Sequence, residues 1–245
     1  MSMKIKLNYS PNFDTKKRKL AQIKFIVFHY TGMKKEKKAI DKLTNLKSKV
    51  SCHYLIKNNG EIIKMVPEPY ISWHAGISGW LKFKNLNKNS IGIEISNSGH
   101  RNNYKNFSKK QIISLVKLSK YLIKKFKIKS NFILGHSDIA PDRKQDPGEK
   151  FPWKLLSKKK IGIWHTLSSK KIVKERNNKT NKIDKTKFIS NLYKIGYPIN
   201  NKIEKTKYTK FLIKAFQRRF RQELINGIID RECLFISENL LKKKI

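Results

Sequence analysis

The segment IKFIVFHYT, residues 23–31, constrains the fold of this chain more than any other. Its centre is an uninterrupted β-branched and aromatic run bounded by polar residues, which reads as a buried strand. Its final positions, His29 and Tyr30, emerge at the strand end. Other elements are legible around it. Residues 34–47 carry Ala39, Ile40, Leu43 and Leu46 at helical spacing. SCHYLIKNNGEIIKMV holds two apolar runs about Asn58-Asn59-Gly60, a hairpin signal. SIGIEIS, residues 90–96, is a further short strand. Ser108 followed by Gln111 is a capping-box pattern that opens a helix whose apolar face runs from Ile112 to Phe126. A strand at 131–136 then leads into SDIAPDRKQDPG, where prolines and glycine stop regular structure. Strands and helices alternate without a strict βαβ repeat. The fold class expected is α/β, a mixed β-sheet flanked by helices, over residues 1–167.

After Trp164 the composition shifts. Residues 168–187 are mostly Lys, Asn, Ser and Thr without clear periodicity and read as a linker. Beyond it, apolar positions around Phe188, Phe211 and Leu234 predict three helices over 188–245, a small three-helix domain near the lower size limit for independent folding.

The charge balance narrows the function classes less than its size suggests. There are 57 basic and 17 acidic residues, a net charge of +40. Such a field attracts polyanions. The lysines, however, are spread along every segment, whereas a nucleic-acid reader concentrates them in one arm or helix. No specific nucleic-acid partner is expected. Cys52 and Cys233 lie in no CxxC pair, and two buried free thiols are expected. The amino terminus MSMKIKLNYSPNF lacks an apolar run, so no signal peptide is visible and a cytoplasmic location is expected, or a periplasmic one for a longer amino terminus. No stretch reaches the apolar length of a membrane span. The chain is expected to be a monomer.

Among six histidines, His29 and His136 each close an apolar strand, and Asp146 follows His136 by ten residues across a proline-containing loop. Two imidazoles and a carboxylate with a fourth position open make a catalytic zinc site. Spacing alone leaves a second reading open, that these are ordinary surface residues or satisfied core residues. Glu94 stands between Ile93 and Ile95, so its side chain faces opposite to theirs. His53, on the sheet beside the site, is read either as a substrate contact or as a structural residue. His74 and Trp73, in WHAG, are expected along a substrate groove, with a structural role equally open for His74. His100 and His165 read as surface residues. Trp80 and Trp153 are open to either stacking on substrate or packing, the commoner use of Trp.

Taken together, FHYT, SCHYLI, WHAGISGW, SIGIEI and GHSDIAPDRKQDPGEKFPW resemble the amidase-2 family of N-acetylmuramoyl-L-alanine amidases, of the AmiD and AmpD type. The resemblance covers roughly residues 20–165 in the same order. IKAFQRRFRQELINGIIDRECL resembles the peptidoglycan-binding module of three helices that follows some members. The resemblance implies one zinc ion on His29, His136 and Asp146, a catalytic glutamate at Glu94 and a catalytic lysine at Lys144. It implies cleavage of the amide between N-acetylmuramic acid, intact or in its 1,6-anhydro form, and L-alanine in peptidoglycan or muropeptides. Asp142 departs from the pattern, standing where AmpD-like members often have glycine. It is expected either to pair with Arg143 or to weaken the field of Lys144.

The chemistry accounts for these residue types. An amide carbonyl is a poor electrophile and neutral water a poor nucleophile; zinc corrects both. A glutamate takes and returns a proton, and a lysine stabilises the developing oxyanion. Two other classes compete: a peptidoglycan-binding protein without catalysis, which needs no metal set, and a basic nucleic-acid binder, which predicts a steep salt dependence.

Overall fold

The computed structural model describes residues 3–242. Residues 1–2 and 243–245, the outer ends of the two expected domains, lie outside the described residues. The strands are β1 (Ile5–Leu7), β2 (Phe13–Asp14), β3 (Phe25–Tyr30), β4 (Tyr54–Ile56), β5 (Ile62–Lys64), β6 (Ile71–Ser72), β7 (Gly79–Trp80), β8 (Phe83–Lys84), β9 (Ser90–Ile95) and β10 (Ile133–Gly135). The α-helices are α1 (Glu36–Thr44), α2 (Lys109–Phe126), α3 (His136–Ile139), α4 (Trp153–Lys158), α5 (Ser169–Val173), α6 (Lys182–Ile195), α7 (Lys205–Phe220) and α8 (Arg231–Lys242). Six strands form one mixed sheet in the order β1-β5-β4-β9-β3-β10, in which only the β4–β5 hairpin is antiparallel.

The buried strand β3 sits between β9 and β10, and its alternation divides the molecule. Ile26 and Phe28 point to one face, where Ile91, Ile93, Ile95, Tyr54 and Ile56 meet Leu115, Leu118 and Leu122 of α2 and Trp153 and Leu156 of α4. Phe25 and Val27 point to the other, where they pack with Phe188, Leu212, Phe216 and Ile236 of the carboxy-terminal helices. Full burial of such side chains contributes about 1.5–3 kcal/mol each. A third cluster, Leu43, Cys52, Leu55, Ile63 and Met65, lies under α1. His29 and Glu94, paired in register across β3 and β9, therefore share the face of Phe25 and Val27.

The capping box forms as expected: Gln111 N donates to Ser108 Oγ (3.1 Å) and Ser108 N to Gln111 Oε1 (2.9 Å). The strand expected at 131–136 is shorter. A 3₁₀ turn occupies Ser130–Phe132, and His136 opens α3. The cause is Asp138, whose Oδ2 accepts the Gly135 N–H (2.7 Å) and curls the chain as soon as the strand ends.

The linker expected over 168–187 is instead structured, and the helical part begins earlier than residue 188. It contains α5 and the start of α6. Arg176 is bonded to Glu232, Thr180 Oγ1 to Ile229 O (2.9 Å), and Lys179 bridges to Asp230. Lysines and asparagines on the exposed side hide the buried Ile172 and Thr180. Sheet and carboxy-terminal helices share one apolar cluster, which spans the expected domain boundary. Cys52 and Cys233 are free and buried, as expected. His165 is buried rather than on the surface. Among the described residues no helix is long and apolar enough to cross a membrane.

Candidate active site

His29, the penultimate residue of β3, and His136, the first residue after β10, come side by side on adjacent parallel strands, since Gly135 pairs with Phe28. Asp146 returns to them because Ser137 N donates to Asp146 O (2.8 Å), closing the loop on itself. Gly135 permits this approach: a Cβ there would lie 2.7 Å from Pro147 Cδ. The result is a triangle of buried donor atoms. His29 Nδ1 and His136 Nδ1 are 2.9 Å apart, and each is 3.0 Å from Asp146 Oδ2.

The hydrogen-bond network fixes the tautomers. The Ser90 hydroxyl donates to Leu86 O (2.6 Å), so its oxygen accepts from His74 Nε2–H (3.0 Å). His74 Nδ1 is then an acceptor and takes His29 Nε2–H (3.0 Å), which leaves a lone pair on His29 Nδ1. Likewise His136 Nε2–H donates to Ala75 O (3.1 Å) and leaves a lone pair on its Nδ1. Two nitrogen lone pairs and a carboxylate oxygen thus face one point, an arrangement that repels itself unless a cation lies there. The set fits zinc. Tetrahedral bonds of about 2.0–2.1 Å separate neighbouring donors by about 3.3 Å, so the triangle need open only slightly. Each imidazole is also held by an outer partner, as metal-binding histidines usually are.

The charges agree with this assignment. Burial, and then the facing His136, lower His29 to about 4, against the opposing pull of Asp146. Burial alone pushes Asp146 up, but His136 and His29 outweigh it and hold the carboxylate well below the usual range. Burial, followed by neighbouring imidazoles, keeps His74 well below its ordinary value and neutral.

A cavity of about 460 Å³ opens over the triangle and is lined by His29, His136, Asp146, Glu94, Lys144 and Trp73, among others. Glu94 Oε2 is enclosed without a hydrogen-bond partner among the described residues. Burial, and then the Asp146 charge, raise Glu94 to about 8, while Lys144 and Lys42 pull it down. Trp73 is anchored at the rim by Nε1–H donation to Asp14 Oδ1 (2.7 Å).

Of the three expected substrate contacts, His74 and Trp73 line the cavity and His53 does not. His53 lies outside the cavity, fully buried under β9. Its Nδ1 accepts the Gly92 N–H (3.0 Å), and Nε2 faces Tyr70 O (3.2 Å). It holds strands together because Arg18 and Ser72 close over it. His74 borders the cavity, but both ring nitrogens are used inward, on His29 and Ser90. Trp80 and Trp153 are buried packing residues. Among the described residues Asp142 makes no hydrogen bond or close ion pair with Arg143, although its charge favours the guanidinium. It faces Asn200 (3.4 Å), while Arg143 Nη2 donates to Ala75 O (2.5 Å) and Nε to Ile77 O (3.0 Å).

Sequence reasoning missed Lys42, Arg101, Arg143 and His100 in the cavity wall. His100 is no bystander: it joins Tyr30 Oη (2.8 Å) to Glu149 Oε2 (3.0 Å). Only its closeness to the strand end of SIGIEIS signalled it.

Comparisons with known proteins converge on one family. The family model described as N-acetylmuramoyl-L-alanine amidase matches residues 19–149. The chain is 35% identical to N-acetylmuramoyl-L-alanine amidase AmiD of Escherichia coli over 234 residues, 91% of this chain and 83% of that protein. It is 40% identical to 1,6-anhydro-N-acetylmuramyl-L-alanine amidase AmpD of Haemophilus influenzae over 106 residues, 43% of this chain and 55% of that protein. Among solved structures, E. coli AmiD in complex with anhydro-N-acetylmuramic acid-L-Ala-D-γ-Glu-L-Lys superposes with a TM-score of 0.79 at 34% identity, covering 91% of this chain and 90% of that one. AmpDh3 of Pseudomonas aeruginosa gives 0.79 at 30%, covering 91% and 92%. A fold that brings these donors together, and that matches AmiD along nearly its whole length, places the chain in the N-acetylmuramoyl-L-alanine amidase family.

Proposed function

We propose that the cavity hydrolyses the amide between N-acetylmuramic acid and L-alanine in peptidoglycan fragments, using one zinc ion held by His29, His136 and Asp146. The observation that carries the reading is the convergence of three lone-pair donors beside an enclosed, unpartnered carboxyl. When bound, zinc makes water nucleophilic at neutral pH and polarises the scissile carbonyl. Burial makes Glu94 a stronger base than a free carboxylate, and its ionised form would take a proton from the attacking water and return it to the departing L-alanine nitrogen. Lys144 lines the cavity, and its charge acts on Glu94 and would stabilise the oxyanion of the tetrahedral intermediate. Lys42, Arg101 and Arg143 make the wall basic, which suits a stem peptide bearing carboxylates. The complex of E. coli AmiD with an anhydromuramyl tripeptide supports the same substrate class here. A binding protein without catalysis would need neither the donor triangle nor the buried acid.

The test separates ligand from catalyst. Glu94→Gln keeps the shape and removes the basic oxygen, so zinc stays bound while peptide release falls by about 10²- to 10⁴-fold. Lys144→Ala likewise keeps zinc and loses about 10²- to 10³-fold. A Glu94→Gln rate above about a tenth of the parent's excludes the proton-transfer role.

A further inference from the structure

Asp138 follows the ligand His136 by two residues and is 1% exposed. Both of its oxygens accept. Oδ2 takes the Gly135 N–H (2.7 Å) and Arg219 Nη1–H (2.5 Å), and Oδ1 takes the Tyr197 hydroxyl (3.1 Å). Arg219, on α7, also donates through Nη2 to Ile133 O (2.9 Å). One guanidinium therefore grips the chain at Ile133 and at Asp138, before and after His136. The guanidinium is itself fixed, 2% exposed and stacked 4.3 Å from the centre of the Trp153 ring. Tyr197 is fixed by packing on Trp80, ring centres 5.1 Å apart.

We propose that Arg219 and Tyr197 are positioning residues for the metal centre, acting through Asp138 on the turn that carries His136. The inference rests on the zinc reading above. It gives the carboxy-terminal helices a task inside the active site, beyond whatever surface they offer to a polymer. A buried ion pair is a weak source of stability, because desolvation offsets most of the attraction. What this pair supplies is a fixed direction for a short turn: the Gly135 amide, the α3 carboxylate and the Ile133 carbonyl cannot move independently. The same helices contain a second buried charge cluster, Arg221 with Asp230 and Glu232, and Arg176 with Glu232. Its hydrogen-bond partners lie between residues 175 and 233, so it touches no part of the site. It is the internal control.

Full-length Arg219→Met, Tyr197→Phe and Arg221→Met are compared for zinc dissociation constant, by competition with a chromophoric chelator, and for Tm. Cobalt substitution adds the d–d spectrum as a direct report of donor geometry. Arg219→Met should weaken zinc by up to about 10-fold, the lower end of what losing a direct partner of a ligand costs, because it acts through Asp138, and should alter the cobalt spectrum. Tyr197→Phe, which removes one hydroxyl, should shift affinity in the same direction by less and keeps the test alive if Arg219→Met does not fold. Arg221→Met should lower Tm and leave zinc affinity unchanged. Parent-like zinc affinity in both Arg219→Met and Tyr197→Phe overturns the proposal, as does equal weakening by Arg221→Met. A parent chain that takes up no zinc overturns the site reading itself, a distinguishable failure.

Discussion

Gly92→Ala changes one hydrogen to a methyl in the middle of β9 and should damage the metal site. A Cβ at position 92 would stand 2.4 Å from His74 Cγ, 2.6 Å from Cδ2 and 2.7 Å from Nδ1. Carbon atoms in contact keep about 3.5–4.0 Å, so the imidazole must retreat by about 1 Å or more. Its two hydrogen bonds, to His29 Nε2 and Ser90 Oγ, are both 3.0 Å long. A retreat of that size ends both. His29 then loses the acceptor that holds its Nε2–H and aims its Nδ1 at the other ligands. Loss of such a partner weakens metal binding by about 10- to 100-fold, or about 1.4–2.8 kcal/mol. The assay is chelator competition for zinc, with Tm in parallel and peptide release measured at limiting and saturating zinc. Activity should fall at limiting zinc and recover substantially at saturation. A folded Gly92→Ala protein with the parent's zinc affinity would refute the tautomer chain through His74.

Two further outcomes follow from the packing and the charges. A chain ended before Ser168 uncovers Phe25, Val27, Trp80, Leu134 and Ile139; it should be insoluble or fail to melt cooperatively, and a soluble fragment with a sharp transition would contradict the shared core. Glu68 is buried: desolvation pushes its carboxyl up, but the Tyr54 hydroxyl, its own backbone and Lys64 outweigh it and bring it from 4.5 to about 2. Its folded value lies below its unfolded one, so its contribution is present above about pH 4.5 and is lost as pH falls toward 2. That gap corresponds to about 3 kcal/mol. Glu68→Gln should flatten the fall in stability between those limits in denaturant titrations, and an unchanged slope would exclude Glu68 as its source.

What could be read in the sequence was local or periodic. The FIVF run, the hairpin about Gly60 and the Ser108–Gln111 cap each declare themselves within a few residues. So does Glu94, because alternation between Ile93 and Ile95 alone sends it to the other face. The triangle was legible because two strand ends and one loop are all it needs. The rest depends on partners distant in sequence. Arg219 meets Asp138 across 81 residues, and His74 meets His29 across 45. Nothing in WHAG distinguishes a histidine facing substrate from one turned inward to a ligand. Arg18 was equally hidden: it is nearly buried, donating to carbonyls of Glu68, Asn87 and Ser90, in a segment that reads as a charged surface. The pervasive lysines also concealed the order of residues 168–187, since composition reports the exposed side of a helix and says little about the few residues that anchor it.

Metal content measured against activity addresses the central claim, that His29, His136 and Asp146 hold the ion on which amide cleavage depends. Purified protein should carry about one zinc per chain. Dialysis against a chelator should abolish release of L-alanyl peptide from a muropeptide, and added zinc should restore it. His136→Ala should lose zinc and activity together. Full activity from metal-free protein, or from His136→Ala, would contradict the account.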